Sequence, residues 1–252
     1  MSAERAELPE PDKLAGAPHP RHTAELYGQG AAERAFLEAY GAGRLHHGWL
    51  LTGPRGVGKA TLAWRIARFL LAQGEDAGGG LFGAPEAPAR LDIDPEHPVA
   101  RRVAALSEPG LFLLRRGANA AGTGLSDAIR VEEVRRLKSF FALSSTEGGA
   151  RVVIIDAADE MNVSAANAVL KLLEEPPERA TLLLVSHQPA RLLPTIRSRC
   201  RTLALSSLGE DDLAAALAQA GVAPEGGAGT LAALSGGSAG AAVTLAQEGG
   251  AA

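Results

Sequence analysis

Gly53-Pro54-Arg55-Gly56-Val57-Gly58-Lys59 is the stretch on which the reading of this chain turns. It satisfies G-x-x-x-x-G-K, and its flanks give that short pattern weight. Gly48-Trp49-Leu50-Leu51-Thr52 before it reads as a short buried strand, and Leu62, Ile66, Phe69 and Leu70 after it recur at helical spacing. Strand, glycine loop and helix in that order form a phosphate cradle. Gly53, Gly56 and Gly58 let backbone N–H groups converge on an anion at a helix N-terminus, where the helix dipole favours negative charge, and Lys59 adds a point charge. The plainer alternative is a glycine-rich turn with a surface lysine.

The cradle lacks a part. A Ser or Thr hydroxyl after the lysine ordinarily holds the magnesium that bridges the terminal phosphates, and here Ala60 stands there with Thr61 one place late. The apolar run Val152-Val153-Ile154-Ile155 ends in Asp156, suited to a metal, but Ala157 follows where a glutamate would orient attacking water. Asp156 reads equally as a loop-capping acid. Asp159 and Glu160 lie close in sequence, yet a strand would aim position 157 at the phosphates. The expectation is a loop that takes phosphate, with no magnesium site and no intrinsic ATP hydrolysis.

Outward from this centre, helices and apolar runs alternate. Ala35, Phe36, Ala39 and Tyr40 mark a helix over 31–42; Leu111–Leu114 a second strand; Val134, Leu137, Phe140 and Phe141 the inner side of a helix over 131–143. Val152–Ile155 and Thr181–Val185 read as strands buried on both faces of a parallel sheet, with a helix over 164–175 between them stopped by Pro176-Pro177 and a last strand near 202–205. This predicts an α/β fold over residues 21–206 with its site at the strand carboxyl ends. Ala/Leu-rich helices over 210–220 and 238–247 predict a small helical domain over 207–252. Residues 1–20, rich in Pro, Glu and Ala, read as a disordered lead-in, and 73–98 as a surface insertion.

Composition narrows the function. The 25 basic residues against 29 acidic, a net charge of −4 and 4% aromatic content argue against a chain that grips DNA alone. Cys200 is the only cysteine, which excludes an internal disulfide and a multi-thiolate zinc site and fits a reducing cytoplasm. The acidic start is unlike a signal peptide, and no apolar run approaches the ~18 residues of a membrane helix.

Ala165-Ala166-Asn167-Ala168-Val169-Leu170-Lys171-Leu172-Leu173-Glu174-Glu175-Pro176-Pro177 resembles the N-A-L-L-K-x-L-E-E-P-P helix of the bacterial AAA+ clamp-loader family, and Ser198-Arg199-Cys200 resembles its S-R-C motif. On its own the helix leaves two registers open, Ala168 with Leu172 and Glu175, or Val169 with Leu173. Arg197, Arg199 and Arg201 taken alone are also a solvated basic alternation. The resemblance spans most of residues 20–250 and is strongest to the delta prime type. It implies a P-loop AAA+ sheet domain followed by a helical lid, and Arg199 as an arginine finger reaching a neighbouring subunit's ATP, a task suited to a planar guanidinium. It also implies a hetero-pentamer with gamma/tau and delta subunits of DNA polymerase III, which places a sliding clamp on primed DNA in the cytoplasm, at the nucleoid-associated replisome.

Gly237–Ala242 resembles the family's second sensor, with Ala241 or Ala242 where motors carry arginine: a third loss in cis. No cofactor is then required, and the loop is expected to hold ATP, ADP or phosphate weakly and unhydrolysed. The family's four-cysteine zinc module is missing from 73–98, and the chain stops in the lid without a collar domain, as a shortened protein would. A working gamma/tau-type motor is the rival that shares the helix, the S-R-C motif and the fold, and Ala60 and Ala157 count against it. A small-molecule kinase has no acceptor site here. Within a ring, Arg135, Arg136 and Lys138 are candidate phosphate contacts to DNA, or a solvated helix face.

Overall fold

The computed structural model describes residues 10–76, 88–143, 149–223 and 227–248. Five parallel strands, β1 (Gly48–Thr52), β2 (Leu111–Leu114), β3 (Arg151–Asp156), β4 (Ala180–Val185) and β5 (Arg201–Ala204), stand in the order β2-β3-β4-β1-β5. The central strands are the continuous apolar runs because both faces are covered. Alternation sorts their side chains. Val152 and Ile154 face one core with Trp49, Leu51, Leu183 and Val185; Val153 and Ile155 face another with Leu50, Leu182 and Leu184. The edge strands β2 and β5 are less covered.

α1 (Gly30–Gly41), α2 (Lys59–Asp76) and α3 (Pro98–Ala104) fill the first core, with Phe36, Trp64, Ile66, Phe69 and Val103 fully buried. α4 (Val131–Leu143) and α5 (Val163–Glu174) fill the second. α5 begins under an N-cap in which Asn162 Oδ1 accepts from Ala165 N at 2.8 Å, and it buries Ala165, Ala166, Val169 and Leu173. The Val169–Leu173 register is therefore the one realised. α6 (Pro194–Arg197) is a single turn before β5.

Beyond Ser206, α7 (Glu210–Gln219), α8 (Ala228–Ser235) and α9 (Ala239–Gln247) enclose a third core around Leu213, Leu217, Leu231 and Val243. α8 was not legible in the sequence: Gly227, Gly229 and Gly236 mask a helix that tertiary packing supports. Among the described residues no single helix is long and apolar enough to cross a membrane.

Two expectations need correction. Residues 10–20 are not a loose lead-in: the side chain of Asp12 is wholly buried in an ion-pair cluster with Arg115 and His19. Order begins before Arg21 because this charge cluster, invisible to hydropathy, holds the segment. The region 73–98 is not wholly a surface insertion either. Its first residues extend α2, Leu91 is 1% exposed in the first core, and Asp92 Oδ1 accepts from Arg65 at 2.6 Å; only 77–87 lie outside the described residues.

Candidate functional site

The loops that leave β1, β3 and β4 converge at the carboxyl edge of the sheet. Gly53 turns beneath the next strand with φ +136°, so tightly that a Cβ would lie 2.2 Å from Leu205 O. Gly56, Gly58, Lys59, Thr61 and Asp156 then line one cavity of about 520 Å³, whereas Gly53 is not part of its lining. Ala60 and Ala157 line it too. The alanines thus stand in the cavity itself, where a metal-binding hydroxyl and a water-orienting carboxylate would be needed, and a methyl group supplies neither.

Lys59 is 3% exposed, and its ammonium donates to Gly53 O at 2.8 Å and Pro54 O at 2.5 Å. Burial lowers its pKa to about 8 against the pull of Asp156 and Asp159. Asp156 is pushed up to about 7, first by burial and then by Asp12 and Glu160, with Lys59 opposing. Phosphate oxygens, being charged, would satisfy the Lys59 ammonium better than these loop carbonyls do.

The neighbouring acids are engaged elsewhere. Asp159 accepts from His187 N at 2.9 Å and Gln188 N at 3.2 Å, fixing the loop after β4, and Glu160 pairs with Arg116 at 2.9 Å. Asp159 is thus fixed by backbone donors, and Glu160, although it lines the cavity, is held by Arg116. His187, whose Nδ1 is buried without a hydrogen-bond partner, also lines the cavity, and burial drives its pKa down to about 4. The ring is therefore neutral at working pH.

Gln29 was missed by sequence reading. It is 3% exposed, donates to Val57 O at 3.1 Å and Ser206 O at 2.8 Å, and accepts from Ser206 N at 3.2 Å, tying the loop to the junction with α7–α9. A Gly-Gln pair ahead of a helix reads as a start signal, but this amide caps nothing in its own helix. The small helical unit touches the loop directly. Gly240 N donates to Gly56 O at 3.0 Å and Ser238 Oγ to Arg55 O at 2.8 Å. Ala241 lines the cavity and Ala242 is buried in the third core, so no charged side chain from this helix reaches the site.

Arg199 lies elsewhere. Arg201 pairs with Trp49 in register, while the loop begins four residues after Trp49, so roughly 13 Å or more of strand separates Arg199 from Gly53. Its side chain, 39% exposed, meets Glu174 Oε1 at 3.0 Å and donates to Thr195 O at 3.2 Å. Arg201 instead lies over the Trp49 ring, 5.4 Å from its centroid. The Cys200 thiol is packed against β1, its pKa raised to about 12 by burial, so its part is packing rather than chemistry. Among the described residues no His/Cys/Asp/Glu group could hold a metal ion.

A family model described as DNA polymerase III, delta subunit, matches residues 28–209. Subunit delta' of DNA polymerase III from Pseudomonas aeruginosa is 42% identical over 154 residues, 61% of this chain and 41% of that one. The chain belongs to the DNA polymerase III delta prime family. The gamma/tau subunit of Mycobacterium tuberculosis is 31% identical over 187 residues, 71% of this chain and 28% of its own length, so the chain spans less than half of either relative. The fold reaches further than the family. The Thermotoga maritima RuvB Holliday junction branch migration motor, 16% identical, matches with a TM-score of 0.51 over 88% of this chain and 61% of that one, as expected of an AAA+ sheet domain. Delta prime membership accounts for the E-E-P-P helix as α5 and the S-R-C motif as the turn between α6 and β5.

Proposed function

We propose that this chain is a non-hydrolysing subunit of the DNA polymerase III clamp loader that lends Arg199 to the ATP site of an adjacent subunit. The observation that carries the reading is a division across the sheet. At the carboxyl edge the cavity has methyl groups at positions 60 and 157; at the opposite edge the partly exposed Arg199 guanidinium rests on Glu174 and Thr195 O. An arginine so far from its own phosphate loop serves no reaction there, whereas a guanidinium aimed at another chain's phosphates stabilises the charge that develops in transfer.

The cavity suits phosphate and not the magnesium complex. Gly56 and Gly58 open the backbone and Lys59 supplies charge, but nothing replaces the hydroxyl at position 60. The nucleotide would therefore rest on the loop as a weak, metal-indifferent ligand. Partners follow from the family: gamma/tau and delta subunits in a pentamer, the sliding clamp, and primed DNA met through the assembled complex in the cytoplasm. Exposed Arg135 and Lys138 on α4 are available to phosphates, whereas Arg136 is spent on Glu133 at 2.9 Å.

Reconstitution tests this. Arg199→Ala should lower the ATPase of the assembled complex by about 10³-fold or more, the scale of an arginine finger, while the subunits still co-elute. Unchanged turnover removes the finger role. Magnesium-dependent phosphate release by the isolated chain would make it a motor of gamma/tau type instead.

A further inference from the structure

The segment Glu10–Pro20 joins the sheet domain to the small helical domain across the phosphate cavity. At one end Arg115, just after β2, pairs with Asp12 and stands 3.4 Å from Glu10 Oε1, while His19 Nε2 stands 3.2 Å from Asp12 Oδ2. The His19 ring packs edge-on against Trp64 of α2 at 5.8 Å. Burial alone would raise the Asp12 pKa, but His19 and Arg115 outweigh it and hold the carboxyl below its ordinary value. At the other end Ala17 packs on the third core. Gly16, at φ +70°, passes so close to α9 that a Cβ would meet the Gln247 side chain, and Leu14 abuts Gly240. Between these ends Pro11, Asp12, Lys13 and Leu14 form part of the cavity wall.

We propose that Glu10–Pro20 is a strap that holds the α7–α9 unit closed on the phosphate loop in the absence of nucleotide. A ligand shifts a conformational equilibrium only by its differential affinity for the two states. Here the docking bonds are between protein groups, Gly240 to Gly56 and Ser238 to Arg55, and among the described residues the α7–α9 unit puts no charged side chain into the cavity. Nucleotide then has little to offer the closed state over the open one. The fastening is instead a wholly buried carboxylate whose charge is balanced only while Arg115 and His19 stay beside it, and removing such a partner leaves an uncompensated buried charge. The strap precedes residues 28–209, the part matched by the family model. It gives the fixed-subunit reading a physical cause and rests on that reading for its purpose, though not for its geometry.

Hydrogen exchange tests it on the full chain, on Arg115→Ala and on a chain lacking residues 1–17, each with and without millimolar ADP or ATP plus magnesium. In the parent chain, exchange over 228–247 should be the same with and without nucleotide. In both variants it should quicken by about tenfold or more, because Arg115→Ala strands the buried Asp12 carboxylate and the shorter chain lacks the strap itself, while β3 and β4 stay protected. Unchanged exchange in both variants, or marked protection of 228–247 by nucleotide in the parent, would overturn the strap. Should Arg115→Ala loosen the whole sheet, the nucleotide arm in the parent chain decides. Phosphate release followed in the same samples separates the two ideas: turnover would sink the non-hydrolysing reading and leave the strap standing.

Discussion

Asp156 shows how one residue can carry both a remnant of chemistry and a cost in stability. Burial raises its pKa from 3.8 to about 7. Between those values the folded protein keeps a proton that the unfolded chain gives up, so this group's contribution to stability falls as pH rises through the window. Asp156→Asn has no such proton to lose. Thermal melts should place the variant a few degrees higher relative to the parent at about pH 7.5 than at about pH 5; equal differences at both pH values would show that Asp156 is ionised throughout. Gly53 is the opposite kind of residue, fixed by space alone. Gly53→Ala combines a positive φ with a Cβ set against the Leu205 carbonyl, a backbone atom that cannot swing aside. Denaturant unfolding should show a loss of roughly 2 kcal/mol or more.

At the scale of elements, α5 and α9 repeat one device, a polar N-cap that sets the helix start, with different consequences. Asn162 caps α5, and Asn162→Ala should cost about 1 kcal/mol, read as a lowered urea midpoint with an unchanged slope. Ser238 caps α9 by accepting from Ala241 N at 3.1 Å and also donates to Arg55 O, so the same hydroxyl starts the helix and moors it to the phosphate loop. Gly56 leaves room for that mooring. A Cβ there would lie 2.4 Å from Ser238 Oγ and 2.9 Å from Gly240 Cα. Gly56→Ala should therefore quicken amide exchange in α9 while β1 and β4 keep their protection; slowing or no change would mean that the contact does not hold the unit.

At the scale of the molecule, the phosphate cavity and Arg199 occupy opposite edges of one sheet, so damage at each should be separable. Lys59→Ala should leave the ATPase of the reconstituted complex within about twofold of the parent, because the proposed turnover happens on the neighbour's phosphates. A fall as large as that expected for Arg199→Ala would show that this loop takes part in the cycle. The distance also decides how the arginine is presented. Glu174, from the end of α5, pairs with Arg199 in the isolated chain, so the helix and the turn of the two family motifs meet in space.

By itself the sequence determined the sheet and the character of its site. Continuous apolar runs bounded by turn residues read as strands covered on both sides, and G-x-x-x-x-G-K between strand and helix reads as a phosphate turn; the alanines at 60 and 157 are legible because the missing groups are a matter of residue type. Helices α1, α4, α5, α7 and α9 were legible from their spacing, within a residue or two at their ends, and α2 by its apolar spacing though not in its last turn. Tertiary structure alone decided what depends on partners far along the chain. α3 was hidden because about two turns of helix are too short to show a period, and α8 because its glycines argue against it until Leu231 is buried among α7 and α9. Gln29 meets Ser206, Asp12 meets Arg115, and Arg199 meets Glu174 only after the sheet has brought them together. Polar side chains carry no periodicity to announce such pairings. Their partners are set by the order of strands, and that order is fixed by packing rather than by any local stretch of sequence.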